Sequence, residues 1–137
     1  MAVKRENIQP ASLNVRKIDG KALYSHCVAI EGGKKMIFVA GQLARDKEGA
    51  NVGRGDMRAQ VEQACQNVKA CLEAAGATLA DVVRTNTYVT DIDAFFKCAD
   101  IRSRYFGDSL PTSTTVEVRR LAHPDLWVEI DAIAVVG

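Results

Sequence analysis

The chain has 137 residues, 47% of them hydrophobic and 26% charged, which predicts one globular domain over residues 1–137. Eighteen basic and seventeen acidic side chains leave a net charge of +1, so a general electrostatic affinity for nucleic acid or an anionic membrane is not expected. No stretch is apolar enough for a signal peptide or a membrane-spanning helix, and we expect a cytoplasmic protein.

The first half of the chain predicts an N-terminal arm over residues 1–15, strands over 24–30 and 35–42, an exposed loop over 44–55 and a helix over 56–75. Gly32 and Gly33 lie between the two strands, which predicts a hairpin. Asp56 is a candidate cap at the start of the helix, and Gly76 is typical of a helix end.

The second half predicts a strand over residues 81–90, a helix from Asp91 or Asp93 through Phe106, and a pair of closing strands within 111–137. The candidates for the inner face of this helix are Phe95, Cys98, either Ile101 or Arg102, and Tyr105. The order of elements favours an α+β layer with both helices on one face of the sheet.

The last strand has two different faces. Val128, Ile130, Ala132 and Ala134 alternate with residues that include Glu129 and Asp131, so one face is apolar and the other carries carboxylates. We expect Glu117 on the same face as these carboxylates. Such a mixed surface, left uncovered by helices, predicts an oligomer.

The cysteine and histidine positions give little support for a metal site. The four cysteines form no CxxC pair, and only His26 and His123 could complete a site. Reduced cysteines in a cytosolic chain are more often small apolar packing residues.

Several stretches together resemble the RidA/YjgF family, also known as L-PSP endoribonuclease-like proteins. They are Ala40-Gly41-Gln42, the helix QACQNVKACLEAAGA, the strand TNTYVTD, Pro111 followed by Val116-Glu117-Val118, and the tail WVEIDAIAV. The resemblance covers residues 20–136, and the tail and the Ala-Gly-Gln strand end are its most specific parts.

This resemblance implies a chorismate-mutase-like α+β protomer with a mixed sheet and two helices on one face. It implies that the sheets of three copies form the inner barrel of a homotrimer, with small-molecule clefts between neighbouring subunits. The implied activity is hydrolysis of a reactive enamine or imine to a carbonyl compound and ammonia, in which no cofactor or metal takes part.

The resemblance also assigns residues to the cleft. Glu129 corresponds to a glutamate that positions or activates the attacking water, and Thr115 to a Cys or Thr beside that water. Tyr24 corresponds to a cleft-lining tyrosine, and Gly41 to a glycine whose backbone approaches the ligand. Ser113 occupies the position of an arginine that binds the substrate carboxylate.

Ser113 is the main departure from the family pattern, which reads Pro-x-Arg at this place. A serine offers one neutral hydrogen bond where the arginine offers a bidentate cation, a loss of about 2–4 kcal/mol in binding a carboxylate. We therefore expect either a specialised substrate, whose anion is held by a residue such as Arg102, Arg104 or Arg45, or a cleft without this chemistry.

Two alternatives to a deaminase stay open. One is a non-catalytic trimer that binds a small molecule or acts as a chaperone or regulator. The other, suggested by the older family name, is an endoribonuclease, which the near-neutral charge disfavours.

Overall fold

The computed structural model describes residues 3–137, which form a four-stranded mixed sheet with helices on one face and two small two-stranded sheets. The α+β class expected from the sequence is confirmed. The elements are β1 (Lys4–Ile8), β2 (Lys17–Ile18), β3 (Lys21–Ala22), β4 (Cys27–Glu31), β5 (Lys35–Leu43), α1 (Met57–Ala74), a 3₁₀ turn (Leu79–Asp81), β6 (Val82–Val89), α2 (Ile92–Phe96), α3 (Ala99–Phe106), β7 (Thr112–Glu117) and β8 (Val128–Val136).

The main sheet has the strand order β5-β8-β6-β7. β8 pairs antiparallel with β5 and β6, whereas β6 and β7 are parallel. The closing strands β7 and β8, predicted as a pair, are therefore not neighbours. The reason is the crossover: α2 and α3 carry the chain back over the sheet, so β7 runs parallel to β6, and β8 pairs with the other edge of β6.

The predicted hairpin of β4 with β5 is wrong. β4 pairs instead with β1, which lies inside the segment predicted as an arm, over all five residues of each strand. Asn7 of β1 donates from Nδ2 to the backbone oxygens of Ser109 and Leu110, at 3.0 Å each. These contacts fix β1 against the segment after α3, and β1 thereby becomes the partner of β4.

The long helix α1 forms as predicted. Asp56 accepts a hydrogen bond from the Ala59 backbone N–H at 3.1 Å, and Gly76, with φ +82°, follows the helix end. Buried Gln60 is satisfied by backbone groups of nearby loops. Of the helices in residues 3–137, none combines the length and the apolar character needed to cross a membrane.

The second predicted helix is divided in two. Asp91 caps α2 by accepting from the Ala94 N–H at 3.0 Å, and Cys98, with φ −100° and ψ 18°, interrupts the helical geometry before α3 begins. Ile101 and Arg102, which the sequence pattern left as alternatives, are both buried.

The two faces of the main sheet differ in burial. On the helix side, the β8 residues Val128, Ile130, Ala132 and Ala134 are each 3% exposed or less. On the open face, Met36, Phe38 and Val116 are 60%, 70% and 40% exposed. Exposed apolar side chains on one continuous face are typical of an interface.

Polar side chains on the open face form a hydrogen-bonded group around Asp131. Asn86 donates to Asp131 at 2.9 Å and Tyr88 donates at 3.3 Å, while Arg84 donates to Asn86 at 2.8 Å and to Thr114 at 2.7 Å. The Asp131 carboxylate raises the pKa of Tyr88. Asp131 is thus held within the sheet by its neighbours.

Glu117 does not share this face, contrary to expectation. It is in register with Val89, whose own antiparallel partner is buried Val128, so its side chain lies on the helix side. Its carboxylate accepts a hydrogen bond from the Ile92 backbone N–H at 3.1 Å, at the start of α2. The parallel register of β7 with β6 determines the face on which the Glu117 side chain lies. A shift of this register by one residue would move the side chain to the open face.

Candidate functional site

A cavity of about 220 Å³ lies between β7, the helices α2 and α3, and residues 16–24. Its volume is below the roughly 300–1,000 Å³ of most small-molecule sites, which fits a small ligand or part of a shared site. It is lined by Arg16, Ile18, Leu23, Tyr24, Phe95, Phe96, Ala99, Arg102, Ser113 and Thr115. Among residues 3–137, no acidic side chain contributes to this lining.

Three of the five residues expected in the cleft line this cavity: Tyr24, Ser113 and Thr115. Ser113 and Thr115 pair with Thr85 and Thr87 of β6, which are buried beneath the helices. Since residues in register on neighbouring strands point to the same face, the two β7 hydroxyls lie on the helix side of the sheet.

The outer wall of the cavity includes a short hairpin that was not predicted from the sequence. β2 and β3 are joined by Asp19 and Gly20, whose φ angles of 51° and 76° fit a two-residue type I′ turn. The Asp-Gly pair is the sequence signal that would have revealed it. The Tyr24 hydroxyl, just after the hairpin, accepts a hydrogen bond from the Arg16 backbone N–H at 3.3 Å.

Arg102 is the buried cation of the cavity. Only 9% of the residue is exposed, and its guanidinium donates to the Leu23 carbonyl oxygen at 3.1 Å. Burial lowers the pKa of Arg102. In the described part of the chain, no carboxylate lies within ion-pairing distance of it.

The other two arginines considered as anion-binding residues lie elsewhere. Arg104 of α3 forms an ion pair with Glu62 of α1 and does not line the cavity. Arg45 lies in the loop after β5, where its Nε donates to Asn51 at 3.4 Å. A different residue, Arg16, lines the cavity and stacks on Phe96 with its guanidinium carbon 4.2 Å from the ring centroid.

Glu129 and Gly41 form a second group, apart from the cavity. Glu129 is on the open face of β8, and its carboxylate lies against Gly41, so close that an added Cβ at Gly41 would overlap it. The register of β5 with β8 shifts between Val39 and Gln42, and Gly41 lies in this irregularity. Any side chain at this position would displace the Glu129 carboxylate, so the glycine lets the glutamate lie against the backbone of β5.

The family is decided by two comparisons with known proteins. The family model described as Endoribonuclease L-PSP matches residues 15–136. The crystal structure of YyfB, a conserved Rid family protein of unknown function from Yersinia pestis, is 34% identical with a TM-score of 0.82, covering 96% of this chain and 98% of that one. The chain belongs to the RidA/YjgF family.

Relatives of this RidA/YjgF chain carry both general and specific names. A RutC family protein of Pyrococcus abyssi is 41% identical over 114 residues, 83% of this chain and 88% of that protein. The 2-iminobutanoate/2-iminopropanoate deaminase of Salmonella typhimurium is 36% identical over 103 residues, 73% of this chain and 79% of that protein. Deaminases are thus present among the relatives.

In this RidA/YjgF chain, the five expected cleft residues therefore form two groups. Tyr24, Ser113 and Thr115 line a cavity on the helix side at edge strand β7, while Gly41 and Glu129 lie together near edge strand β5. One copy of the chain therefore places three hydroxyl groups and Arg102 in one location and the Glu129 carboxylate in another.

Proposed function

We propose that the chain is a deaminase that hydrolyses a reactive imine, or the enamine in equilibrium with it, at clefts between copies of the chain. The observation that carries the proposal is the cavity beneath α3, where three hydroxyl groups and the buried Arg102 converge without an acid among the described residues. A relative named 2-iminobutanoate/2-iminopropanoate deaminase supports it, since such compounds combine one carboxylate with a C=N bond.

The two groups of residues would meet in a ring of copies. β5 and β7 are the two edge strands of the main sheet, so closing a ring brings the β7 edge of one copy beside the β5 edge of the next. The exposed Met36, Phe38 and Val116 would then be covered inside the ring. The family resemblance points to three copies, and we propose a homotrimer.

The chemistry requires only water and a carboxylate. Water adds to the imine carbon to form a carbinolamine; the C–N bond then breaks, so an iminium ion and water become a carbonyl compound and an ammonium ion. In this proposal Glu129 accepts a proton from the attacking water and returns it to the leaving nitrogen, while Thr115 of the neighbouring copy holds the water.

The proposal is tested by measuring ammonia release from 2-iminopropanoate, generated in place by an amino-acid oxidase. Glu129→Gln removes the carboxylate and Thr115→Tyr fills the cavity, and we expect each variant to be inactive while circular dichroism remains unchanged. Full activity in Glu129→Gln would refute the proposed chemistry.

Mixing these two variants tests whether the cleft is shared between copies. Oligomers assembled from equal amounts would contain sites with both an intact cavity and an intact glutamate, and about a quarter of wild-type activity should return. No recovery from mixed oligomers, verified by differently tagged chains, would show that each site is built by a single copy.

Binding without turnover is the second candidate function. Ser113 favours it, because a neutral hydroxyl in the cavity holds a carboxylate less firmly than an arginine at that position would. A wild-type protein that binds small keto acids but releases no ammonia from their imines, in the assay above, would support this candidate.

We also propose the cytoplasm as the compartment of this activity. All four cysteines are free thiols, and thiols persist best in a reducing environment. Thiol labelling after fractionation of the source cells would test this, with four free thiols in the cytoplasmic fraction as the expected result.

A further inference from the structure

We infer that Arg102 on α3 is the carboxylate anchor of the site, in place of an arginine on β7, and that the substrate is an imino monocarboxylate with an apolar side chain. This inference deepens the proposed function and rests on it for the reaction. The anchor itself concerns binding alone and can be tested without turnover.

The guanidinium of Arg102 has few partners within the described chain. A guanidinium carries five N–H donors, and Arg102, nine-tenths buried, has one hydrogen bond in the described chain, to the Leu23 carbonyl oxygen. A buried charge is stable only when it is paired or hydrogen-bonded, and no carboxylate of residues 3–137 pairs with this one. A ligand carboxylate in the cavity would supply both the opposite charge and the acceptors.

Arg102 and Ser113 line the same cavity, the first from a helix and the second from a strand. Because serine is short, it leaves room beside β7 that a long arginine would fill. The guanidinium in the cavity therefore comes from α3 and not from β7. A carboxylate bound to it would lie closer to α3 than one bound to an arginine at position 113.

The helix that carries Arg102 is well anchored. Tyr105, one turn further along α3, donates to Glu62 of α1 at 2.6 Å and accepts from Gln66 of α1 at 2.6 Å. A binding residue is effective when its supporting contacts hold it in place before the ligand arrives. These contacts fix the part of α3 that follows Arg102, and the hydrogen bond to the Leu23 carbonyl oxygen fixes the guanidinium itself.

The remaining wall indicates the rest of the substrate. Ile18, Leu23, Phe95 and Phe96 line the cavity with apolar surface. The second arginine, Arg16, is exposed and stacks on Phe96, so its charge is largely screened by solvent. One buried cation beside these apolar side chains fits a ligand with one carboxylate and an apolar side chain better than a dicarboxylate.

The test is calorimetric titration of the intact protein with 2-oxobutanoate, the stable keto acid that deamination of 2-iminobutanoate would yield. We expect Arg102→Met to raise the Kd by about 10- to 150-fold, as expected for loss of a charged hydrogen-bonded pair. Arg104→Met, which removes the same charge from the same helix outside the cavity, should leave the Kd unchanged. Equal binding by wild type and Arg102→Met would overturn the inference.

Two further variants separate binding from structure. Arg102→Lys keeps the charge but not the planar fork, and we expect an intermediate Kd, which also provides the measurement if Arg102→Met does not fold. Adding Ser113→Arg to Arg102→Met returns a guanidinium to the cavity and should restore most of the affinity. Wild-type binding in Arg102→Lys, or no rescue in a folded double variant, would count against the anchor.

The choice of ligand tests the substrate class. Phenylpyruvate should bind wild type more tightly than 2-oxoglutarate, and the uncharged 2-oxobutanamide should bind weakly and equally to wild type and Arg102→Met. Tighter binding of 2-oxoglutarate would overturn the monocarboxylate assignment, and no binding of either monocarboxylate would overturn the inference as a whole.

The anchor and the proposed function fail in different ways. Keto acid binding that depends on Arg102, without ammonia release from any imine, would leave the anchor in place and refute the deaminase. Ammonia release that Arg102→Met does not alter, in kcat or in KM, would leave the deaminase in place and refute the anchor.

Discussion

The cavity beneath α3 and the open face of the main sheet contrast in how complete they are. The cavity is lined by several elements of one chain, and its Arg102 guanidinium is buried and donates to the Leu23 carbonyl oxygen. The open face carries Glu129 at one end of the β5–β8 pair and exposed Met36 and Phe38 towards the other, and no helix of residues 3–137 covers it. A single copy therefore forms the cavity around Arg102, but leaves the Glu129 carboxylate on a face without helices among residues 3–137.

Substitutions on the two faces of the main sheet should therefore have different effects on function and on the fold. The helix side owes its burial to α1 and the segments α2 and α3, so substitutions there affect the single chain. The open face contributes little buried area within one copy, so substitutions there should affect assembly and catalysis more than folding.

The largest expected effect is on catalysis at the open face. Glu129→Gln should lower the rate of ammonia release by about 10²- to 10⁴-fold, because it removes the proposed general base, while the Kd for 2-oxobutanoate stays within twofold. Asp131→Asn, two residues along the same strand, is the matched control and should cost less than tenfold, since Asp131 is engaged by Asn86 and Tyr88. A larger loss in Asp131→Asn would reverse the two roles.

The next effect tests whether the open face is an interface. Phe38→Arg places a charge on a residue that is 70% exposed in one copy, and we expect it to shift the protein from an oligomer to a 14.9 kDa monomer in size-exclusion chromatography with light scattering. Leu13→Arg, at an apolar residue that is 50% exposed outside the sheet, should leave the mass unchanged. An oligomer that survives Phe38→Arg would place the interface elsewhere.

A smaller effect is expected from the contact between Gly41 and Glu129. Gly41→Ala adds a Cβ where the glutamate lies, and the displaced carboxylate should lower activity about 10- to 100-fold with little change in melting temperature. Because both changes act on one group, adding Gly41→Ala to Glu129→Gln should cause no further loss. Additive losses would mean that Gly41 acts independently of the glutamate.

The smallest effect concerns the support behind the cavity. The hydrogen bond from the Tyr105 hydroxyl and, to a smaller extent, that from Arg104 lower the pKa of Glu62 from its ordinary value of 4.5. This pairing therefore stabilises the fold above that pH, and the stabilisation is lost as the pH falls below it. Tyr105→Phe should lower the free energy of unfolding by about 1 kcal/mol at neutral pH.

The same variant should also lose less stability than wild type on acidification. Chemical denaturation at pH 7 and pH 3.5 checks both statements, with Tyr105→Phe and wild type compared at each pH. An equal loss of stability in the two proteins would show that the hydroxyl does not govern the titration of Glu62.

The sequence predicted those parts of the molecule that depend on local patterns. The α1 helix, with its Asp56 cap and Gly76 end, follows from apolar spacing and capping chemistry, and the two faces of β8 follow from alternation. The Asp19-Gly20 turn is equally local, although it lies between the predicted arm, which ends at residue 15, and the predicted first strand, which begins at residue 24. The family resemblance, and no local pattern, placed five residues in one cleft; the structure brings Tyr24, Ser113 and Thr115 to one cavity and leaves Gly41 and Glu129 apart from it.

The tertiary structure alone decided the strand partners and the two groups of site residues. Whether β4 pairs with β1 or β5, and whether β6 separates β7 from β8, depends on contacts between distant segments that no local pattern encodes. The same holds for Arg102: its sequence position permitted a place on the inner face of α3, but only packing against Leu23 and β7 made it the buried cation of a cavity. Periodicity fixes the face on which a side chain lies, whereas its neighbours across the fold are set by the packing of whole elements.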